Sequence, residues 1–129
     1  MLKGQLVTCV IVGARFRPPA AGLLSVLGNG SPLRVRREPS NAYDPNALQV
    51  LVNRSTLEGL PPAQLEAAVQ GFGFGTSDIL DALCWHLGYI PRGEAEGLAG
   101  AFDAAGTEET PASLTFDLAG KPAVAFVVP

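Results

Sequence analysis

Histidine occurs once, cysteine twice and tryptophan once in these 129 residues, and each scarcity removes a chemistry. His86 lies in the apolar, aromatic run Cys84-Trp85-His86-Leu87 with no acid beside it in sequence. No serine stands in a G-x-S-x-G elbow and no H-E-x-x-H is present, so the motifs of a serine hydrolase and of a zinc protease are both missing. Cys9 and Cys84 make no disulfide framework. Cys84 and His86 supply two ligands where a zinc site needs about four. Glu38 and Asp44 are too few to specify a two-metal nuclease. The expectation is a protein without intrinsic catalysis, metal or cofactor.

Long apolar runs are also lacking. Leu6–Val12 is the main apolar stretch near the start, too short for a comfortable signal-peptide core and far below the ~20 residues of a membrane helix. A buried strand is the expected reading, in a soluble, cytoplasmic protein. Positive net charge is absent too: the chain carries −3, which argues against binding nucleic acid by bulk attraction. The charge is unevenly placed. Residues 1–38 hold Lys3, Arg15, Arg17, Arg34, Arg36 and Arg37 against Glu38 alone, whereas residues 39–129 hold three cations against eleven acids. A basic groove on an acidic body suits a ligand held locally. A merely solvated face is the plainer alternative.

What is present is a globular composition, 47% hydrophobic and 16% charged, of a length that fits a single domain spanning residues 1–129. Its most informative stretch is Arg37-Glu38-Pro39-Ser40-Asn41-Ala42-Tyr43-Asp44-Pro45-Asn46-Ala47. Pro39 and Pro45 exclude a helix or a central strand. Asn41 and Asp44 are residues whose side chains close turns onto nearby backbone. Many such clusters are only loops. Here one aromatic ring sits among amide and carboxylate groups, an arrangement able to stack on a flat ligand and read its polar end.

The string REPSNAYDPNALQV resembles the signature of HIRAN domains, R-x-P-x-N-x-Y-D-x-N-A followed by a strand. Two further pieces stand in the same order: Ile11-Val12-Gly13-Ala14-Arg15-Phe16 resembles the family's first strand, and Leu87-Gly88-Tyr89-Ile90-Pro91-Arg92 its G-Y-[IV]-P-[RK] strand. The matches cover roughly 6–52 and 85–106. The resemblance implies an OB-like antiparallel β-barrel that grips the 3′ end of single-stranded DNA, in a family found within DNA-remodelling ATPases and as small separate proteins. It further implies that Asn41 and Asp44 hydrogen-bond the terminal hydroxyl, that Tyr43 and Phe16 stack on the last bases, that Arg15 meets a phosphate with Arg36 or Arg37 as weaker candidates, and that Tyr89 lines the pocket. Phe16 brings no hydroxyl to its position.

Along the chain, Gln5–Val12 reads as a strand covered on both faces. Leu23–Leu27 reads as a short helix or turn plugging one barrel end. Leu33-Arg34-Val35-Arg36 alternates as a strand with the arginines outward, and Ala47–Val52 should pair with it antiparallel. Residues 55–84 exceed the short turn expected of the family and read as an insertion. Pro62–Gln70 suggests one helix with Leu65, Ala68 and Val69 on its apolar face, and Ser77 an N-cap for another at 78–83. Gly71-Phe72-Gly73-Phe74-Gly75 reads as a loop anchored by its rings, because no strand precedes it and no Lys-Ser/Thr follows for phosphate binding. Pro91 should open a helix to about Ala105, Thr107–Pro111 an acidic loop, and the last residues a closing hairpin.

The fold class expected is mainly β (α+β), an OB-like antiparallel barrel with two or three helices, one or two of them in the 55–84 insertion. The function expected is recognition of single-stranded DNA 3′ ends in repair, replication or processing, with a helicase or nuclease as a conceivable partner. The alternative is a protein-interaction module that keeps the fold and presents the acidic 94–117 region, as a DNA mimic or a targeting subunit.

Overall fold

The structure is a computed structural model and describes residues 2–129. Six strands form an antiparallel sheet: β1 (Leu6–Val10), β2 (Pro32–Arg37), β3 (Leu48–Asn53), β4 (Cys84–Tyr89), β5 (Glu109–Phe116) and β6 (Pro122–Val127). Their order is β1-β6-β5-β2-β3-β4. The chain just past β1 then returns to β4. Val12 donates to the Tyr89 carbonyl at 2.9 Å, and Tyr89 N–H donates to the Val12 carbonyl at 2.9 Å. This single bridge closes the sheet into the OB-like barrel.

The closure explains Gly88. Its φ is +152°, and a Cβ there would lie 2.5 Å from the Val12 carbonyl oxygen and 2.9 Å from Ile11 Cγ2. Only glycine lets the two backbones meet this closely. What approaches Gly88 is the backbone of Val12.

β2 and β3 behave as their residue patterns require. Leu33 and Val35 are buried while Arg34 and Arg36 are partly exposed, and Val35 pairs with Val50 across the antiparallel ladder. β1 departs from expectation. Leu6 is 70% exposed, and Cys9 is the one fully buried side chain of the strand. An apolar run does not by itself cover both faces: β1 is paired along its length only with β6.

The helices are more numerous than expected. α1 (Ala20–Val26) buries Leu23 and Leu24 and plugs the barrel. α5 (Arg92–Ala105) buries Ala95, Leu98, Ala99 and Phe102, the i, i+3, i+4, i+7 stripe of an amphipathic helix, and Gly106 in the left-handed region ends it. Full burial of Phe102, which meets Phe126 edge-on, contributes about 1.5–3 kcal/mol. Between β3 and β4 lie three helices: α2 (Arg54–Glu58), α3 (Pro62–Gln70) and α4 (Thr76–Leu80).

α2 was not expected, because Asn53-Arg54-Ser55 looks like a polar strand end; burial of Leu57 holds it. α4 starts earlier than the Ser77 cap suggested. Gly75 precedes it, with its N–H donating to Asp78 Oδ2 at 2.8 Å. α3 packs on α1, and a Cβ on Gly22 would fall 2.0 Å from the Ala68 carbonyl oxygen. Phe74 anchors the glycine-rich loop edge-on against Trp85. β5 also begins sooner than read, at Glu109. The acidic residues taken for a loop pair with β2, Glu109 opposite Arg36 and in an ion pair with Arg34.

Candidate functional site

The segment from Glu38 to Ala47 joins β2 to β3 as a compact, internally bonded loop. Asn41 Oδ1 accepts from the N–H groups of Tyr43 (2.9 Å) and Asp44 (3.0 Å), and Asp44 Oδ1 accepts from Asn46 N–H (2.9 Å). These are the Asx turns that the residue types favour. They hold the Asp44 carboxylate at the wall of a cleft and the Tyr43 ring at its rim, where it is 90% exposed.

The cleft has a volume of about 600 Å³. The loop forms one wall. Tyr89 and Ile90 at the end of β4, Val12 at the barrel closure, Arg17 and the first residue of α5, Arg92, form the rest. Glu38 centres its polar network. Its Oε1 accepts from Tyr89 Oη at 3.0 Å and from Asn41 Nδ2 at 2.5 Å, while Oε2 accepts from Gln49 Nε2. Gln49 Oε1 in turn accepts from Arg36 Nε at 3.0 Å. Arg17 Nη2 donates to Tyr89 Oη at 3.0 Å, with its guanidinium 5.0 Å from the centre of the tyrosine ring.

This network fixes protonation states. Burial first, and then its bond to Glu38, raises the Tyr89 pKa, so the phenol stays neutral. His86 packs edge-on against Tyr89 at 4.7 Å and its Nε2–H donates to the Gly88 carbonyl at 2.7 Å. Burial, aided by the Arg17 charge, lowers the His86 pKa to about 4, so the ring is neutral at pH 7. The cleft wall is balanced in charge, with Arg17 and Arg92 against Glu38 and Asp44.

Of the residues singled out from the sequence, Asn41, Tyr43, Asp44 and Tyr89 converge on this cleft. Arg15 and Phe16 do not. They lie on the 3-10 turn Ala14–Phe16 and line a neighbouring groove, with the Arg15 guanidinium 4.7 Å from the Phe16 ring centre and the ring 74% exposed. Phe16 is therefore no core phenylalanine.

Arg36 and Arg37 do not line the cleft either. Arg36 faces Gln49. Arg37 forms a two-pronged ion pair with Asp103 of α5, at 3.1 Å on both sides, and donates to the Pro45 carbonyl at 2.6 Å; its side chain is 9% exposed. It ties the loop to α5. The basic character read in residues 1–38 is correspondingly reduced, since Arg34 and Arg37 are both paired with acids.

Sequence reasoning left out Glu38, Gln49, Arg17 and Arg92 as site residues. Arg17 and Arg92 had a signal, being cations next to quoted motifs. Glu38 had none beyond being the lone acid in a basic stretch. Residues 54–83 line neither the cleft nor the groove, so the α2–α4 segment does not extend them. Among the described residues no group of three His, Cys, Asp or Glu side chains is placed to hold a metal ion, and no helix is long and apolar enough to cross a membrane.

The HIRAN domain family model matches residues 5–109. Among solved structures, a protein from Lactobacillus plantarum is similar at 19% identity, over 93% of this chain and 91% of that one, with a TM-score of 0.56. The HIRAN domain of human HLTF is similar at 17% identity, over 94% of this chain and 74% of that one, with a TM-score of 0.45. No curated protein matches the chain.

Proposed function

The chain belongs to the HIRAN domain family of DNA-binding modules, and from that premise we propose that it binds the 3′-hydroxyl end of single-stranded DNA in the cleft between the 38–47 loop and Tyr89. The single observation that carries this reading is the placement of Asp44. Its Oδ1 is engaged by Asn46, and no described residue donates to Oδ2, which is left for a ligand at the wall of the cleft. A carboxylate accepts from a terminal O–H and repels a phosphate. A free end is therefore favoured over a phosphorylated end or a continuing strand, by a difference of several kcal/mol where the wrong ligand leaves both a charge clash and unpaired groups.

The other residues support that role. Asn41 is saturated by bonds within the site: its oxygen serves Tyr43 and Asp44, and its nitrogen serves Glu38 and, at 3.3 Å, Tyr89. It acts by aiming the loop, and an approaching hydroxyl meets it only through shared bonds. The exposed Tyr43 ring stacks on a terminal base, a contact worth about 1–3 kcal/mol. Arg17 and Arg92 flank the cleft and meet the phosphate behind the last sugar. The two carboxylates offset this attraction, so affinity depends on the end group more than on charge. Such a module serves DNA repair or processing by bringing a helicase or nuclease partner to ends.

The test compares a short linear single strand with a free 3′-hydroxyl against a circular single strand of the same composition, by fluorescence anisotropy competition at moderate salt. The linear strand is expected to compete and the circle to fail. Equal competition would show binding along the strand and remove the end-recognition reading. A folded protein that ignores both would turn attention to protein ligands for the acidic 94–117 region, in which Asp103 and Glu109 are already paired with arginines.

A further inference from the structure

The α2–α4 segment takes no part in the cleft, yet it carries a groove of its own. Between its helices lies a small cavity of about 160 Å³, lined by the apolar side chains of Leu57, Leu60, Leu65 and Leu80 and by the carboxylates of Glu58 and Glu66, with no cation among them. Leu60 also lines a second cavity of about 460 Å³, which reaches from α2 to the start of β2. That lining carries no charge and presents the hydroxyls of Ser31, Ser55 and Thr56. The two cavities meet at Leu60 as one groove, an apolar and acidic socket at one end and a neutral trough at the other.

The carboxylates of the socket are available. Glu66 is in no ion pair among the described residues. Glu58 meets only Arg54, at 4.0 Å, with both side chains exposed, and such a pair contributes little and exchanges readily. Residues 54–83 hold that one arginine against Glu58, Glu66, Asp78 and Asp81, so the field around the groove is negative.

We propose that this groove docks an extended basic segment of a partner protein, with the alkyl stem of a lysine or arginine over the leucines and its charged head at Glu58 and Glu66. Long cationic side chains cover apolar surface with their stems while the head stays polar, which is what a leucine floor with a carboxylate rim accommodates. In the trough, the Ser31 and Thr56 hydroxyls donate to the carbonyls of Gly28 and Pro32, which leaves their oxygens as acceptors for backbone N–H groups of the segment. Charge complementarity selects the occupant: the rim attracts a cation and repels the phosphates of a nucleic acid. The proposal is independent of the end-binding reading, because the groove shares no lining residue with the cleft. One domain can then hold a DNA end and a protein segment together.

The test is amide chemical-shift mapping on the isotope-labelled full chain with capped alanine pentapeptides that carry lysine, alanine or glutamate at the centre. The lysine peptide is expected to shift the amides of Leu60, Leu65 and Thr76 saturably and to leave those of Tyr43 and Tyr89 in place. The alanine and glutamate peptides should leave the groove unmoved. Glu66→Gln should weaken the lysine peptide about threefold, and Glu58→Gln with Glu66→Gln about tenfold, as the loss of two partly exposed ion pairs gives. Both glutamates are exposed, and unchanged thermal melts verify that the variants fold.

An equal response to the three peptides, no response in the groove, or an affinity for the lysine peptide unchanged in the double variant overturns the docking site. Shifts at the same amides that grow with protein concentration alone would give the groove to a second copy of the chain and overturn the partner. A single-stranded oligothymidylate added to the same samples should leave the affinity for the lysine peptide within about twofold, as for two independent sites. Displacement of the peptide by the oligonucleotide would make the groove part of a nucleic-acid surface and overturn the proposal.

Discussion

Glu38 organises the cleft from beneath, because its two carboxylate oxygens collect donors from β3, from the loop and from β4. On the end-binding reading, four side chains then have separable duties. Glu38 and Asn41 hold geometry, Asp44 presents an acceptor, and Tyr43 presents a face. Tyr43→Ala should change thermal stability by no more than about 0.5 kcal/mol, because the ring is 90% exposed, yet weaken single-strand binding by about 1–3 kcal/mol. Melting curves beside binding titrations check the pair of values, and a large stability loss would show that the ring packs on the domain. Arg37 has the opposite character. Arg37→Ala removes the tie between the loop and α5 and should lower stability by about 1–2 kcal/mol, with some loss of affinity and an unchanged dependence of log Kd on log salt. A reduced salt slope would mean that Arg37 meets phosphate after all.

At the scale of elements, the cleft exists because the 38–47 loop and the end of β4 are brought together across β3, with the Val12–Tyr89 bridge as the seam. Gly88→Ala sets a methyl group against the Val12 carbonyl in a backbone region few side chains adopt, so it should lower stability by more than about 2 kcal/mol and open the cleft. Thermal unfolding and hydrogen exchange at Val12 and Tyr89 measure this, and a neutral substitution would mean that the seam is not structural. The strands around the loop were legible because alternation in Leu33–Arg36 and punctuation by Pro39 and Pro45 are local signals. The shared position of Asn41, Tyr43 and Asp44 was legible for the same reason. The Arg37–Asp103 tie was not, since it spans sixty-six residues and nothing local in either one names the other. α2 and the early start of β5 were hidden because polar residues at Asn53–Ser55 and acidic ones at Glu108–Glu109 look like loop until tertiary pairing places them.

Over the whole molecule, a net charge of −3 is reconciled with a DNA-binding reading by local pairing. Acids of α5 and β5 neutralise Arg37 and Arg34, whereas among the described residues Arg15 forms no ion pair and Arg17 and Arg92 border the cleft. Stability as a whole carries the mark of the neutral His86. Its folded pKa of about 4 lies below the ordinary 6.5, so the unfolded chain takes up the proton first. The stability it contributes is complete above pH 6.5 and is lost as pH falls toward 4, by roughly 1–2 kcal/mol after allowance for partial exposure. His86→Gln should flatten that part of the pH profile in denaturant unfolding, and an unaltered slope would assign it to other groups.

The measurement that bears most directly on the central claim is the ratio of affinities for a 3′-phosphate and a 3′-hydroxyl oligonucleotide, taken for the natural chain and for Asp44→Asn. The substitution keeps an oxygen for Asn46 N–H and removes the charge. A strong preference for the hydroxyl end is expected in the natural chain, shrinking by at least about tenfold in the variant, equivalent to about 1.4 kcal/mol. An equal preference in both proteins, or none in either, would contradict it.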